Sequence, residues 1–460
     1  MAVVGIDSST QSCKVLTVDD DTGRVLRAGQ APHPDGTEVD PEAWWRALAD
    51  AGGTAGGAAA IGVGAQQHGM VALDDADRPV RPALLWNDVR SAPQAEALTE
   101  KYGADGWAAS VGLVPVASYT VTKLAWLAEH EPAHAARVAR VLLPHDWLTW
   151  RLRGGRGEPT TDRSDASGTG YFSAATGDYR HDLLTAALGH DAALPTVLAP
   201  AAVAGETADG ALLAAGAGDN AAAALGLGLS PGQAVVSIGT SGAVFALAGS
   251  PVTDPTGAVA SFADATGRFL PLSCTLNASR VLAATARMLG TDLAGLDALA
   301  TSAAPDAGGL TLLPYLDGER TPNLPDATGS LLGLTRAAMT PENLARASVL
   351  GVLCGLADAL DELRAHGAAI DTVLLIGGGS RSAAIRVAAP DVFGVPVLVP
   401  EPAEYVALGA ARQAAWALSG AAEPPAWPRP DATRYEPAGA GWPAELRARY
   451  RAARHRLHER

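Results

Sequence analysis

At 460 residues the chain is too long for one ordinary hydrophobic core, so two domains of roughly 200 to 250 residues are expected. With 49 acidic against 34 basic residues, the formal net charge of −15 argues against general binding to nucleic acid or to an anionic membrane. Cys13, Cys274 and Cys354 form no CxxC pair and fit a reducing compartment without a disulfide framework.

Asp7 arrives too early for the apolar region of a signal peptide, so a cytoplasmic protein is expected. Residues 3–18 read as strand, small polar turn and strand, with Ser8-Ser9-Thr10-Gln11-Ser12 between two apolar runs. That turn is sized for a phosphate, and Asp7 at the strand end could orient a hydrated metal ion. An acid capping a hairpin turn would look the same. Asp40-Pro41-Glu42 marks a helix start: an N-cap, a proline at the first helical position and an acid at the positive end.

Residues 60–65 form a short apolar strand leading to Gln66, Gln67 and His68. Its Gly62-Val63-Gly64 lacks the third glycine and the following helix of a dinucleotide fingerprint. Gln67 and His68, polar at the end of an apolar strand, are candidate substrate contacts; a structural His68 is the alternative. Trp86, Asn87, Asp88 and Arg90 combine an aromatic face with hydrogen-bonding groups, which suits a sugar or, equally, a structural ion pair.

His130-Glu131-Pro132-Ala133-His134 matches the HExxH zinc pattern, but Pro132 would break the single helix face that pattern needs. Residues 160–169 are dense in hydroxyls and acids, suited to a metal, a sugar or plain capping.

Gly218-Asp219-Asn220-Ala221 opens an apolar, helix-like run to about Leu229, followed by a Ser230-Pro231-Gly232 turn and a second hairpin. That hairpin turns through Gly239, Thr240, Ser241 and Gly242, whose backbone N–H groups can face an anion. No charged residue lies between Asp219 and Asp254, and this uncharged run reads as buried rather than membrane-spanning, because Gly, Ser, Asn, Gln and Pro interrupt it. A lone acid beside a phosphate-shaped loop suggests phosphoryl transfer to a hydroxyl. A hairpin of the same form opens each half, which suggests a duplication with each half lending one wall to a cleft.

Further on, Gly318-Glu319-Arg320-Thr321-Pro322 is a charged turn, and Thr340-Pro341-Glu342 opens a long core helix that Gly367 ends. Val373-Leu374-Leu375-Ile376 runs into Gly377, Gly378, Gly379 and Ser380, where adenosine could approach the backbone or the chain could simply turn. A helix over about 407–418, a Pro-rich connection over 424–443 and a charged terminal helix over 444–460 complete the chain. None of Lys14, Lys101 and Lys123 follows a glycine, so a nucleotide site here is not of the Walker A type.

Two strings carry a resemblance. Ser118-Tyr119-Thr120-Val121-Thr122-Lys123-Leu124-Ala125-Trp126-Leu127-Ala128-Glu129-His130 resembles the first signature of the FGGY family of carbohydrate kinases. Gly329-Ser330-Leu331-Leu332-Gly333-Leu334, with Asn343-Leu344-Ala345-Arg346-Ala347-Ser348, resembles the second, departing at Leu350, where an acid or amide is usual. The likeness covers nearly the whole chain. It implies an α/β fold of two ribonuclease-H-like domains of the actin and hexokinase type with a cleft between them. A sugar-binding domain over 1–230 and a nucleotide-binding domain over 231–460 follow from it.

The resemblance further implies ATP-dependent phosphorylation of a ketopentose, D-xylulose foremost, with ribulose, another ketose or a polyol as the enzymatic alternative. A sugar-responsive regulatory protein without turnover is a second alternative, which retention of both Asp7 and Asp219 argues against. Carried over residue by residue, Asp219 is the catalytic base and Asp7 stands at the magnesium and phosphate site. Gln67, His68, Asn220, Trp86 and Asp88 meet the sugar; Thr10, Gly239, Thr240, Ser241 and Gly242 meet phosphate; Gly377, Gly378, Gly379 and Ser380 meet the adenosine. The implied partners are the sugar, ATP and Mg2+, without nucleic acid or membrane, and a homodimer is allowed. Ser9 replaces the usual glycine of the first phosphate turn, Gln67 replaces a methionine, and Pro390 interrupts a stretch that is usually helical.

Overall fold

The structure, a computed structural model, describes residues 1–458, so the last two residues of the expected terminal helix lie outside them. The chain forms two compact units. One comprises Met1–Leu229, Gly249–Leu270 and Ala403–Arg429; the other comprises Ser230–Ala248, Pro271–Pro402 and Pro430–Arg460. The first changeover, between Leu229 and Ser230, falls next to the boundary expected at 230/231. Segments Gly249–Leu270 and Ala403–Arg429, however, are grouped with the first unit, so one cut in the chain does not separate the two.

In the first unit Ala2–Ser8 pairs antiparallel with Ser12–Asp19, which pairs antiparallel with Val25–Pro32. On its other side Ala2–Ser8 pairs parallel with Ala60–Ala65; Leu212–Ala214 lies parallel beyond that, and Val203–Glu206 closes the edge antiparallel. The central strands are apolar at nearly every position because both faces are covered. Alternate residues divide between two cores. Val4, Ile6, Ile61 and Val63 pack with Trp44 and Trp147, whereas Val3 and Ala60 pack with Ala407 and Ala411. Trp44 belongs to the helix Pro41–Asp50, which starts as its sequence dictates: Asp40 accepts a hydrogen bond from Glu42 N at 3.0 Å, and Pro41 sits at the first position.

The second unit repeats this scheme. Gly232–Ile238 pairs antiparallel with Gly242–Ala246, which pairs antiparallel with Phe269–Thr275. Ile370–Ile376 and Val397–Pro400 add in parallel, and Ala432–Tyr435 closes the edge antiparallel. Across five strands the order and sense are therefore the same in both units, as a duplication predicts; the edge strand differs, since Val203–Glu206 precedes its neighbour in the chain and Ala432–Tyr435 follows its own. The long helix Pro341–Ala365 is capped by Thr340, which accepts from Asn343 N at 3.2 Å. It is long and apolar enough to cross a membrane, but 83% of its apolar stretch is buried in protein. Charges on the terminal helix Trp442–His458 serve it directly: Arg447 and Arg451 each pair with Asp358 and Asp361, and Arg454 pairs with Asp358. Pro390 lies inside the helix Ala383–Phe393, which continues through it.

At the HExxH string the helix Thr120–His130 stops, Glu131 leaves helical geometry with φ −130° and ψ 56°, and a new turn begins at Pro132. His130 and His134 thus sit on different elements.

Glycine makes the tightest packing of the first unit possible. A Cβ on Gly409 would lie 1.8 Å from Ala222 O, and one on Gly226 would lie 2.1 Å from Tyr405 O, so the helices Asp219–Leu227 and Tyr405–Ser419 touch backbone to backbone. The second of these helices meets the sheet in the same way, since a Cβ on Gly5 would lie 1.8 Å from Ala407 O. Gly409→Ala should therefore destabilise by at least about 1–3 kcal/mol. Gly106→Ala, on a helix with nothing within 4 Å of the new methyl, should be neutral or slightly stabilising. Thermal midpoints of the two variants check this; equal midpoints would mean that the helices do not approach so closely.

Candidate active site

Asp219 begins its helix immediately after Gly218, at the positive end of the helix dipole. Gly218 is fixed from outside, its N–H donating to Ser164 Oγ at 3.1 Å. The alanine run 221–224 is buried, so the helix is anchored by its apolar body and presents Asp219 and Asn220 at its start. Asp219 Oδ1 accepts from Asn220 N at 2.8 Å and Asn220 Nδ2 at 2.9 Å. Burial raises the Asp219 pKa, the charge of Asp7 adds to the rise, and the Asn220 N–H opposes it, leaving a value of about 7.

Asp7 ends the strand Ala2–Ser8 and is itself buried. Burial pushes its carboxyl up to about 6 against the opposing Ser9 hydroxyl and Lys14 ammonium. Ser9, the departure from the usual glycine, donates a short hydrogen bond to Asp7 Oδ1. Lys14 was not among the expected site residues. It lies directly across the hairpin from Asp7, with Nζ 3.8 Å from Asp7 Oδ2 and 2.6 Å from Glu404 Oε2. The signal for it was the register: once the turn spans 9–12, strand pairing puts position 14 opposite position 7.

Gln67 and His68 leave the strand Ala60–Ala65 at the same end as Asp7, because Ser8 pairs with Ala65. Gln67 Nε2 donates to Ser164 O at 3.0 Å, and its Oε1 lies 3.5 Å from Asn220 Nδ2. His68 sits at φ 69°, a left-handed conformation uncommon for a residue other than glycine, so its placement is imposed by its surroundings. Its Nδ1 lies 2.7 Å from Gly168 O and so carries the proton, which fixes the tautomer. The ring is walled by Tyr119 at 5.0 Å and Phe262 at 5.8 Å between centroids. Phe262 comes from the segment Gly249–Leu270, and nothing local in the sequence announces it.

Trp86 Nε1 donates to Thr10 Oγ1 at 2.7 Å, joining the aromatic loop to the phosphate-sized turn. Asp88 is oriented elsewhere: its oxygens accept from Thr37 at 2.7 Å and Arg90 at 2.9 Å. Burial alone would raise its pKa, but these partners outweigh burial and lower it. Its carboxylate shapes the loop that carries Trp86.

The remaining expected residues belong to the second unit, where the structure brings its two loops together. Ile238 and Gly242 close the second hairpin, and Thr240 at its tip is exposed. Gly239 O accepts from Ser279 N at 3.1 Å. Gly377 has φ 84°, and a Cβ there would lie 2.7 Å from Ile238 O, so the glycine loop passes against the end of the hairpin strand. Ser380 is turned inward, its Oγ donating to Gly377 O at 2.8 Å. The charged turn after Leu316 is also inward: Glu319 is buried, accepting from Leu276 N at 2.6 Å and from Asn277 Nδ2 at 3.0 Å.

Residues 2–227 match the N-terminal domain of the FGGY family of carbohydrate kinases, and residues 234–418 match its C-terminal domain. A xylulose kinase of Streptomyces coelicolor is 51% identical over 436 residues, covering 91% of this chain and 88% of that one. The crystal structure of the xylulose kinase from Bifidobacterium adolescentis superposes with a TM-score of 0.91 at 47% identity, covering 99% of each chain. Plasmodium falciparum glycerol kinase, at 17% identity, shares the fold with a TM-score of 0.87 over 99% of this chain and 98% of that one. The chain therefore belongs to the FGGY family of carbohydrate kinases and has the two-domain fold of that family.

Proposed function

We propose that this carbohydrate kinase transfers the γ-phosphate of ATP to D-xylulose, giving D-xylulose 5-phosphate, in the cytoplasm where ATP is available. The observation that carries the catalytic assignment is Asp219: a partly desolvated carboxylate at a helix start, hydrogen-bonded to Asn220, with Gln67 close by and a pKa of about 7. A general base works best when its pKa lies near the working pH. The C5 hydroxyl oxygen attacks the γ-phosphorus, its proton passes to Asp219, and the bond from that phosphorus to the oxygen bridging to ADP breaks. Such transfer needs positioning and charge neutralisation more than covalent help.

His68, with its tautomer fixed by Gly168, and the amides of Gln67 and Asn220 provide a hydrogen-bonding wall for the sugar hydroxyls, and Trp86 an aromatic face for its C–H groups. Backbone N–H groups over 239–242 and the Thr240 hydroxyl stand for the phosphate, and the loop 377–380 for the adenosine. Asp7 fits a magnesium ion: it is a buried carboxyl at the strand end whose pKa burial raises, and a cation beside it would favour its charged form. When bound there through water, the ion would supply neutralisation of phosphate charge.

Among ketopentoses, polyols and glycerol, D-xylulose should give the highest kcat/KM in a coupled assay of ATP consumption. Glycerol or a polyol turning over equally well would remove the sugar assignment while leaving the kinase. Asp219→Asn should lower kcat by roughly 10² to 10⁴-fold with sugar binding retained, read by calorimetry; near-normal turnover excludes Asp219 as the base.

The raised pKa also fixes two pH dependences. Activity should fall as pH drops below about 7, where Asp219 takes up a proton, and the profile of kcat/KM reads this. For stability, a carboxyl whose folded pKa is raised favours the folded state at low pH and loses that contribution as pH rises from its unfolded value near 3.8 through about 7. Asp219→Asn should accordingly raise the thermal midpoint at pH 8 and lose the advantage near pH 4; a lower midpoint at pH 8 contradicts the desolvation argument.

A further inference from the structure

Behind Asp219 lies a second polar group that the phosphoryl transfer does not use. His145, Asp146 and Asp165 have side-chain exposures of 0%, 1% and 0%. His145 Nε2 lies 2.9 Å from Ala215 O; its Nδ1 lies 3.1 Å from Asp146 Oδ1 and 3.2 Å from Asp165 Oδ2. A carbonyl oxygen can only accept, so Nε2 carries a proton, and Nδ1 shares a second proton with the two carboxyl groups it faces, of which burial holds Asp165 above the ordinary carboxylate range. The charged form of the ring has no lone pair left for a metal. Burial works against that charge, but the two carboxylates outweigh it and hold the His145 pKa well above its ordinary value.

The contacts of this cation lead to the reacting residues. Ala215 stands four positions before Asp219, and between them Gly216, at φ 81°, runs so close that a Cβ would lie 1.9 Å from His145 Nε2. Asp165 belongs to the turn Arg163–Ala166. In that turn Ser164 takes the Gly218 N–H on its hydroxyl and the Gln67 amide on its carbonyl, and Gly168 just beyond it holds His68. One buried charge therefore ties the segment that delivers Asp219 to the turn that holds Gln67 and His68.

We propose that His145, as an imidazolium between Asp146 and Asp165, is a positioning residue that keeps Asp219 in register with Gln67 and His68. The inference rests on the sugar and base roles proposed above. His145→Gln retains a donor for Ala215 O without the charge, and His145→Lys retains the charge. With the full chain, D-xylulose and ATP, the glutamine variant should lose kcat by about 10²-fold, as expected for misplacement of a reacting group, with KM for the sugar little changed. The lysine variant should recover kcat to within about tenfold of the parent.

Parental kcat in a folded His145→Gln, or a loss that folded His145→Lys does not recover, overturns the proposal. If neither variant folds, 15N chemical shifts of the parent protein decide: two protonated ring nitrogens at pH 7.5 support it, and a neutral tautomer overturns it. Asp219→Asn separates the two levels, since normal turnover there removes the base assignment, whereas a normal His145→Gln beside an inactive Asp219→Asn removes only this inference.

Discussion

Backbone contact between the helices Asp219–Leu227 and Tyr405–Ser419 is the constraint on which the first unit depends. Side chains of ordinary size would hold two helices about 8–10 Å apart; here Gly226 and Gly409 let main chain meet main chain. The same helix rests on Gly5 and Gly62 of the sheet, so helix, helix and sheet form one closely spaced stack. Asp219 leads from one end of this stack and Asp7 ends a strand within it. Their placement is thereby a property of the core rather than of a loop. The abundance of alanine and glycine, which in the sequence looks like a coding bias, has a packing consequence here.

Electrostatics build on that placement. Two acids of one unit, Asp7 and Asp219, are both held above the ordinary carboxylate range, and each is raised first by loss of water. Lys14 and Ser9 moderate Asp7, while backbone N–H groups at Asn220 and Asp219 moderate Asp219. Behind them lies a buried ionisable cluster in which the His145 ring is partnered by Asp146 and Asp165.

The hairpins, the long helix of the second unit and the glycine loops were legible because each is local: apolar runs of strand length, turn residues between them, a cap followed by proline. Asp219 stood out as the acid that opens an uncharged stretch, and it begins a helix there. Other features depend on contacts between distant segments. Phe262 reaches His68 across nearly two hundred residues, and Glu404 reaches Lys14 across nearly four hundred. The polar stretch 160–169 was ambiguous because it does two things at once. Asp162 caps the turn that follows it, whereas Asp165, three residues on, is buried against His145, and no periodicity separates those uses. Asp88 read equally as a sugar contact or an ion-pair member, and its bonds to Thr37 and Arg90 display the second of these.

The course of the chain through the first unit also bears on its synthesis. Strands Ala2–Ser8 and Ala60–Ala65 leave the ribosome early, yet the helix that covers one of their faces is Tyr405–Ser419. Domains generally fold in order of emergence, but this one remains without a wall until nearly nine-tenths of the chain has been made. Until then Val3, Ala60 and the glycine-lined groove beside them stay open to solvent. The nascent protein therefore carries an unfinished apolar surface for most of its translation.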